Sequence, residues 1–250
     1  MGRIIAGPSG VPFGVQIALG RDPNRSFTWQ FGFNPSIAAG AEETVWDEGG
    51  LYVYPSAAAA MTLSSSSALD TAAGTGARTV LVQGLDINLL PVDVTLPLNG
   101  QTGVVITPDL LRVNNVEVMT AGSGEENAGD IYVGTGAITA GVPADKFGKI
   151  SIGENIALSS VCTIRADRTG LLTSLFVGVP KQANVNVRVV VRKLGKVFVT
   201  VDRFTLFQQA PFVPHDIPIP LIGGSDIEIR AQAATGTAEV SGAYGTILSP

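Results

Sequence analysis

The chain consists mainly of short runs in which apolar and polar residues alternate. Turn sequences separate these runs. The runs at residues 78–83, 92–96 and 184–192 are rich in valine and leucine. Such runs, separated by turns about every 8–12 residues, are typical of antiparallel sandwiches and barrels. Asn99-Gly100 is the strongest hairpin signal, because both residues tolerate the positive φ angles of a type I′ turn. The pattern predicts an all-β fold.

The strand pattern stops at residues 142–148, which carry proline and glycine, and then begins again. This interruption predicts a link between two antiparallel β-sandwich or jelly-roll-like domains, at residues 41–145 and 149–250. In the second domain, valines at every other position predict one buried and one solvent-exposed strand face. These valines are Val185, Val187, Val189 and Val191. Four prolines between residues 211 and 220 predict an edge strand, because proline cannot donate a ladder hydrogen bond.

Residues 1–40 have a different composition, since glycine and proline recur every few residues. This density opposes any helix and most central strands, while the apolar residues between them are too many for a solvated tail. We therefore predict an extended N-terminal arm and first strand over residues 1–40. The alternating aromatic residues at 27–33 fit either the arm or the first strand of the sandwich. The predicted partner-binding residues of the arm are Ile4, Ile5, Val11, Phe13, Val15, Ile17 and Leu19.

Charge is sparse along the chain. Charged residues make up 15% of it, against about 25% in an average soluble domain. The formal net charge is −5, which predicts no nucleic-acid binding, because phosphate contacts need clustered Lys and Arg. Low charge fits a β-rich protein and also an assembly subunit whose interfaces replace charged surface. The densest basic group is predicted to be the solvated face of a hairpin; its members are Arg188, Arg192, Lys193 and Lys196.

No residue carries a pattern typical of catalysis or of membrane insertion. Asp47 and Glu48 adjoin Trp46, but adjacent strand residues point to opposite sides, so these acids are predicted to be solvated at a strand end. His215 is the only histidine and precedes Asp216, which predicts a hydrogen-bonded turn. Apolar runs all fall short of the roughly 18 residues of a membrane span. The sequence therefore predicts no enzyme and no membrane partner.

Two loops resemble ligand-binding loops only in part. Gly74 and Gly76 lack the lysine and the adjoining Ser or Thr of a phosphate-binding loop. The acidic loop at residues 121–130 lacks the alternating oxygen ligands of a calcium loop. Cys162 is the only cysteine, which excludes an internal disulfide. We therefore predict no cofactor and no metal ion.

Several phrases of the sequence resemble those of one group of proteins. They are Trp46-Asp-Glu-Gly-Gly-Leu-Tyr-Val-Tyr-Pro55, Gly74-Thr-Gly-Ala-Arg-Thr-Val-Leu-Val-Gln-Gly-Leu-Asp86, Leu98-Asn-Gly-Gln-Thr102 with Leu111-Arg-Val113, and Thr120-Ala-Gly-Ser-Gly124 with Asn127-Ala-Gly-Asp-Ile131. Together they resemble tailed-bacteriophage virion structural proteins of the head decoration (cement) or head-fibre type, as seen in marine phages. The similarity covers residues 25–250.

The resemblance implies a non-enzymatic role in the virion. It implies a decoration protein on the capsid exterior, made in the host cytoplasm, that binds the major capsid protein and stabilises the shell. It also implies a homotrimer, because three-fold symmetry matches a site where three coat subunits meet. The alternative is a tail or head-fibre protein that contacts host surface glycans. The family has no catalytic residues to carry over.

Overall fold

The computed structural model describes residues 13–179 and 184–250. Almost all of its regular structure is β-strand, so the all-β prediction is confirmed. In the described ranges the elements are α1 (Phe13–Ala18), β1 (Ser26–Ala38), β2 (Glu43–Thr44), β3 (Thr62–Ser65), β4 (Ala77–Leu85), β5 (Pro91–Pro97), β6 (Val104–Val105), β7 (Arg112–Ala121), β8 (Ile131–Thr139), β9 (Val142–Ile150), β10 (Cys162–Thr163), β11 (Thr169–Gly178), β12 (Asn184–Lys193), β13 (Val199–Phe207), β14 (Phe212–Leu221), β15 (Ser225–Ala233) and β16 (Thr237–Ser249).

The strands form four antiparallel sheets that pack around two hydrophobic cores. Two sheets, with orders β1-β16-β11-β14 and β10-β15-β12-β13, enclose the first core, and β2 extends the second of them through β15. We call this part the terminal sandwich. The other two sheets, with orders β6-β3-β8-β9 and β5-β4-β7, enclose a second core built from residues 61–157. We call this part the inserted unit.

The terminal sandwich is assembled from both ends of the described chain. Strand β1 pairs with β16 from Ser26 opposite Leu248 to Ala38 opposite Thr237. The aromatic run at residues 27–33 is therefore the first strand of a sandwich. A register shift follows Asn34 and accommodates Pro35, at an edge strand where proline is tolerated. The predicted boundary that assigned residues 1–40 to a separate segment is corrected, because β1 belongs to the sandwich of the C-terminal half.

The predicted link at residues 142–148 lies inside a strand. These residues belong to β9, which pairs with β8, and Ile150 at its end is fully buried in the core of the inserted unit. The hairpin that joins β8 to β9 lies just before this range, at Ala140 and Gly141, which both have positive φ, 48° and 82°. The chain returns to the terminal sandwich only after residue 157, so the boundary predicted at residues 145–149 is wrong.

The prediction of a hairpin at Asn99-Gly100 is also wrong. Gly100 has a φ of 57°, but Asn99 is not in the positive region, and the neighbouring strands pair elsewhere, β5 with β4 and β6 with β3. The two-residue hairpin turn is Ala140-Gly141 instead. A Cβ on Gly141 would overlap the backbone carbonyl of Ser65, so this turn accepts only glycine at its second position.

Other strand predictions hold. Val185, Val187, Val189 and Val191 are all buried on the inner face of β12. Strand β14 contains Pro214, Pro218 and Pro220 and lies at the end of its sheet, as predicted for an edge strand. Strand β13 occupies the corresponding end of the other sheet of the terminal sandwich.

Candidate functional site

The structure divides the seven predicted partner-binding residues into two groups. Ile4, Ile5 and Val11 lie outside the described residues. The other four lie in or directly after α1, so the prediction of a fully extended arm is wrong at residues 13–18. This stretch has no proline, and its one internal glycine costs a helix only about 1 kcal/mol relative to alanine.

Helix α1 is held by one buried side chain and presents the other apolar ones to solvent. Ile17 is 3% exposed, whereas Phe13, Val15 and Leu19 are 39%, 45% and 58% exposed. Gly20 ends the helix with a φ of 65°, the left-handed conformation common after a helix C-terminus. The following loop is fixed to the sandwich because Arg168 Nη1 donates to the Asn24 carbonyl at 2.9 Å. Phe13, Val15 and Leu19 therefore remain exposed on an anchored element.

The two sandwich edges carry further exposed apolar side chains. They are Val199 and Phe207 on β13, and Phe212 and Ile217 on β14. In the described part of the chain neither strand has a second strand neighbour. Unpaired strand edges offer N–H and C=O groups to another chain, so this side of the sandwich is a second surface suited to association.

A groove of about 540 Å³ lies between the terminal sandwich and the inserted unit. Strand β1 supplies one wall through Thr28, Trp29, Gln30 and Phe31. Trp29 is 49% exposed, although tryptophan is usually largely buried in folded proteins. The Gln30 side chain is held in place, because its Nε2 lies within hydrogen-bond distance of three carbonyls, those of Asn114, Ser159 and Val161.

The other wall is a polar ladder on the three-stranded sheet of the inserted unit. Gln83 on β4 lies opposite Asp93 on β5 and Asn115 on β7. Asn115 Nδ2 donates to Gln83 Oε1 at 3.2 Å, and Gln83 Nε2 donates to Asp93 Oδ1 at 3.4 Å. The groove could not be predicted from the sequence, because its two walls come from distant segments of the chain. The available signal was the row of alternating aromatic residues in a strand.

A buried ion pair joins the inserted unit to the terminal sandwich. Arg112 on β7 is 2% exposed, and its Nε donates to Asp226 Oδ1 on β15 at 2.9 Å. Asp226 is fully buried and also accepts from Thr163 Oγ1 and Arg192 Nε, at 2.6 and 2.9 Å. Arg112 Nη2 donates to Asp226 Oδ2 at 3.2 Å, and Nη1 donates to the carbonyls of Pro55 and Leu111. Both members of the pair have several hydrogen bonds, which a buried charge requires.

Near this ion pair, two further arginines contact aromatic rings or an acidic side chain. The Arg192 guanidinium lies 4.3 Å from the Tyr54 ring centre and 4.4 Å from that of Phe198. Arg188 pairs with Glu42 at 2.6 Å. The prediction of a solvated basic face is therefore wrong for Arg188, which pairs with Glu42, and for Arg192, which pairs with Asp226 and stacks on two rings. Lys193 and Lys196 are exposed.

The acids beside Trp46 are also less solvated than predicted. Asp47 is buried, and its Oδ2 accepts from the Ser151 N–H and hydroxyl, at 3.2 and 3.0 Å. Desolvation raises the pKa of Asp47 to about 7, against the opposing influence of Lys149 and Ser151. Glu48 binds Lys146 at 2.6 Å. Trp46 itself is buried and donates to the Gly49 carbonyl, so it offers no exposed ring for stacking.

The single histidine lies in a strand and pairs with an aspartate of another strand. His215 on β14 contacts Asp202 Oδ2 through Nε2 at 2.9 Å, so the predicted turn with Asp216 is wrong. Among the residues that the structure describes, no group of three or more His, Cys, Asp or Glu side chains is arranged to hold a metal ion. No helix within those ranges is long and apolar enough to cross a bilayer.

Comparison with known proteins leaves the family open. No protein-family model matches the chain, and no curated protein matches its sequence. Two solved structures of infectious bursal disease virus, the Gt and Gx strains, each align with 95% of this chain and 76% of theirs, at 11% and 9% identity. Their TM-score is 0.21 in both cases. Such a score does not establish a common fold, and the function proposed below does not rest on these structures.

Proposed function

We propose that this protein is a non-enzymatic structural protein of a tailed-bacteriophage virion. Within the virion, it is a decoration protein that binds the major capsid protein on the outer surface of the shell and stabilises it. The sequence resemblance supports the class of protein. One structural observation carries the docking role: α1 is anchored through Ile17 and still presents Phe13, Val15 and Leu19 to solvent.

The energetics suit a protein that binds a repetitive lattice. Fully burying a large aliphatic or aromatic side chain contributes about 1.5–3 kcal/mol, so three half-exposed side chains supply modest affinity at each copy. Binding to the assembled shell alone stabilises that shell by mass action. Contacts repeated over many sites then add up to a substantial effect on the particle.

Replacing Phe13, Val15 and Leu19 together by serine tests the docking role. We expect the affinity for capsids that lack this protein to fall by at least about 100-fold, equivalent to about 2.7 kcal/mol, because the apolar contact is lost. The melting temperature should change little, since Ile17 keeps the helix in place. Occupancy is measured by co-sedimentation of purified protein with capsids.

A matched control removes three similarly exposed apolar side chains from the inserted unit. Ile87, Val105 and Ile152 are 60%, 57% and 63% exposed, and their triple serine variant should bind capsids as the wild type does. Full occupancy by the α1 variant, or equal loss in both variants, would contradict docking through α1.

We also propose that the protein is a homotrimer, because a three-fold assembly repeats each contact three times where three coat subunits meet. The exposed edges of β13 and β14 provide surface for such subunit contacts. Sedimentation equilibrium at micromolar concentration should give a species of three times 25.8 kDa. A single 25.8 kDa species would be evidence against a preformed trimer.

The second candidate is a tail or head-fibre protein that contacts host surface glycans. One observation favours it, namely that the side chain of Trp29 on β1 is 49% exposed. The two candidates differ in where the protein lies on the particle, and imaging of the particle separates them.

A further inference from the structure

The sheet with order β1-β16-β11-β14 has one face in the core of the terminal sandwich and a second, outer face. On β16, a Cβ on Gly242 would meet Ile229 of the opposite sheet, so Gly242 faces the core. A Cβ on Gly245 would instead meet the ring of Phe27 on β1. Because side chains alternate between the two faces of a strand, Ala243 lies on the outer face together with Gly245.

Three rows of paired residues cross the outer face, and each row has one residue from each of the four strands. The first row is Phe27, Ile247, Leu171 and Pro220, the second is Trp29, Gly245, Ser174 and Pro214, and the third is Phe31, Ala243, Phe176 and Phe212. None of these residues is charged. An uncharged and mainly apolar surface therefore extends across the whole sheet.

Aromatic side chains on this surface are in contact with solvent. Trp29, Phe31 and Phe212 are 49%, 38% and 60% exposed. A contiguous apolar surface of this kind marks an interaction site in a folded protein. The cores of protein interfaces are enriched in aromatic residues and depleted of charged ones, as the outer face is.

The outer face is large enough for a stable contact. Strands β11 and β14 have 10 residues each. Four strands spaced about 4.8 Å apart, with about 3.4 Å per residue, give a face about 19 Å wide and about 34 Å long. Its flat area of about 650 Å² is close to the roughly 800 Å² that each partner buries in a standard interface.

The charge of the chain favours a second copy as the occupant. The formal net charge is −5, and like charges that oppose each other across an interface cost free energy. The three rows bring no charge to such a contact, so two copies can meet there without that cost. The outer face also continues to the edge strand β14 through Phe212, next to the edge proposed above for subunit contacts.

We propose that copies of this protein associate through the outer face of the sheet β1-β16-β11-β14, which buries Trp29, Phe31 and Phe212. This inference rests on the self-association proposed above, but it does not depend on the number of subunits. In a homotrimer, the three outer faces meet around the three-fold axis.

Replacing Trp29, Phe31 and Phe212 together by lysine tests this interface. The dissociation constant of the oligomer should rise at least about 100-fold, equivalent to about 2.7 kcal/mol, in sedimentation at a series of concentrations. Circular dichroism checks that the variant is folded. The single variant Phe212→Lys, at the most exposed of the three positions, should weaken association at least tenfold, so the test does not depend on the triple variant alone.

Two comparisons make the test specific. The matched control has lysine at Ile87, Val105 and Ile152 of the inserted unit, and it should associate as the wild type does. A second variant has glutamate at the three outer-face positions. Neither the lysine nor the glutamate variant should associate alone, whereas their equal mixture should, because opposite charges then meet across the contact. A mixture that stays dissociated would show that the outer face does not meet its own copy.

Tryptophan fluorescence of the unmodified protein is an independent readout. Trp46 is buried, so association should shift the emission of Trp29 to shorter wavelength as the protein concentration rises. No shift over the range in which sedimentation shows association would overturn the proposal.

The outcomes separate this inference from the homotrimer. A trimer that persists in the lysine variants would overturn the outer-face contact and leave the homotrimer standing. A dimer that these variants dissociate would support the contact and contradict the homotrimer. A single 25.8 kDa species at every concentration would overturn both.

Discussion

Replacing Asp226 by alanine is expected to lower the free energy of unfolding by about 3–5 kcal/mol, the usual cost of removing one partner of a buried pair. The loss arises because Arg112 stays buried at the junction without its counter-charge, and because Thr163 and Arg192 lose an acceptor. Urea denaturation followed by circular dichroism measures it.

The control is an ion pair of similar geometry on the surface. Arg165 and Asp167 are both substantially exposed, and solvent screening leaves such pairs little effect on stability. Arg165→Ala should therefore leave the unfolding midpoint nearly unchanged. If Asp226→Ala destabilised the protein no more than Arg165→Ala does, the ion pair would not hold the two units together as described.

Asp70→Ala is expected to cost at least about 3 kcal/mol, because each buried group left unsatisfied costs about 1–3 kcal/mol. The Asp70 carboxylate is fully buried and accepts four hydrogen bonds. Their donors are the Ala77, Ala128 and Gly129 N–H groups at 2.7, 2.8 and 3.0 Å, and the Ser65 hydroxyl at 2.6 Å. One side chain thus fixes three segments of the inserted unit.

A carboxylate in an exposed turn is the matched control for Asp70. Asp86 Oδ1 accepts from the Asn88 and Leu90 N–H groups, where water can replace the lost acceptor. Asp86→Ala should cost about 1 kcal/mol or less. Equal losses in the two variants, measured by urea denaturation, would show that Asp70 does not organise the buried loops.

The strand content could be predicted because strand periodicity is a local signal. Alternation of valines in β12 predicted which side chains are buried, and the prolines of β14 predicted an edge. The pairing of β1 with β16 could not be predicted, since nothing local in residues 26–38 specifies a partner more than 200 residues away. Because this long-range pairing was not predictable, the inserted unit was interpreted as the first of two consecutive domains.

Buried polar groups were the other source of error. Asp47 and Asp70 lie in loop sequences that look solvated, but backbone N–H groups from distant segments converge on them. Arg188 and Arg192 looked like part of a basic surface because their acidic partners, Glu42 and Asp226, are far away in sequence. Of the predicted docking residues, Ile17 is buried and Val15 is exposed on the other side of the helix. In an extended arm these two residues would share a face, so the arm prediction could not separate them.

A cryo-microscopy map of the parent particle tests the central claim most directly. We expect density for this fold on the outside of the capsid, between neighbouring coat subunits at three-fold or quasi-three-fold positions, with α1 against the coat protein. Density for the protein only at the tail or at a vertex, or none on the particle, would contradict the decoration role.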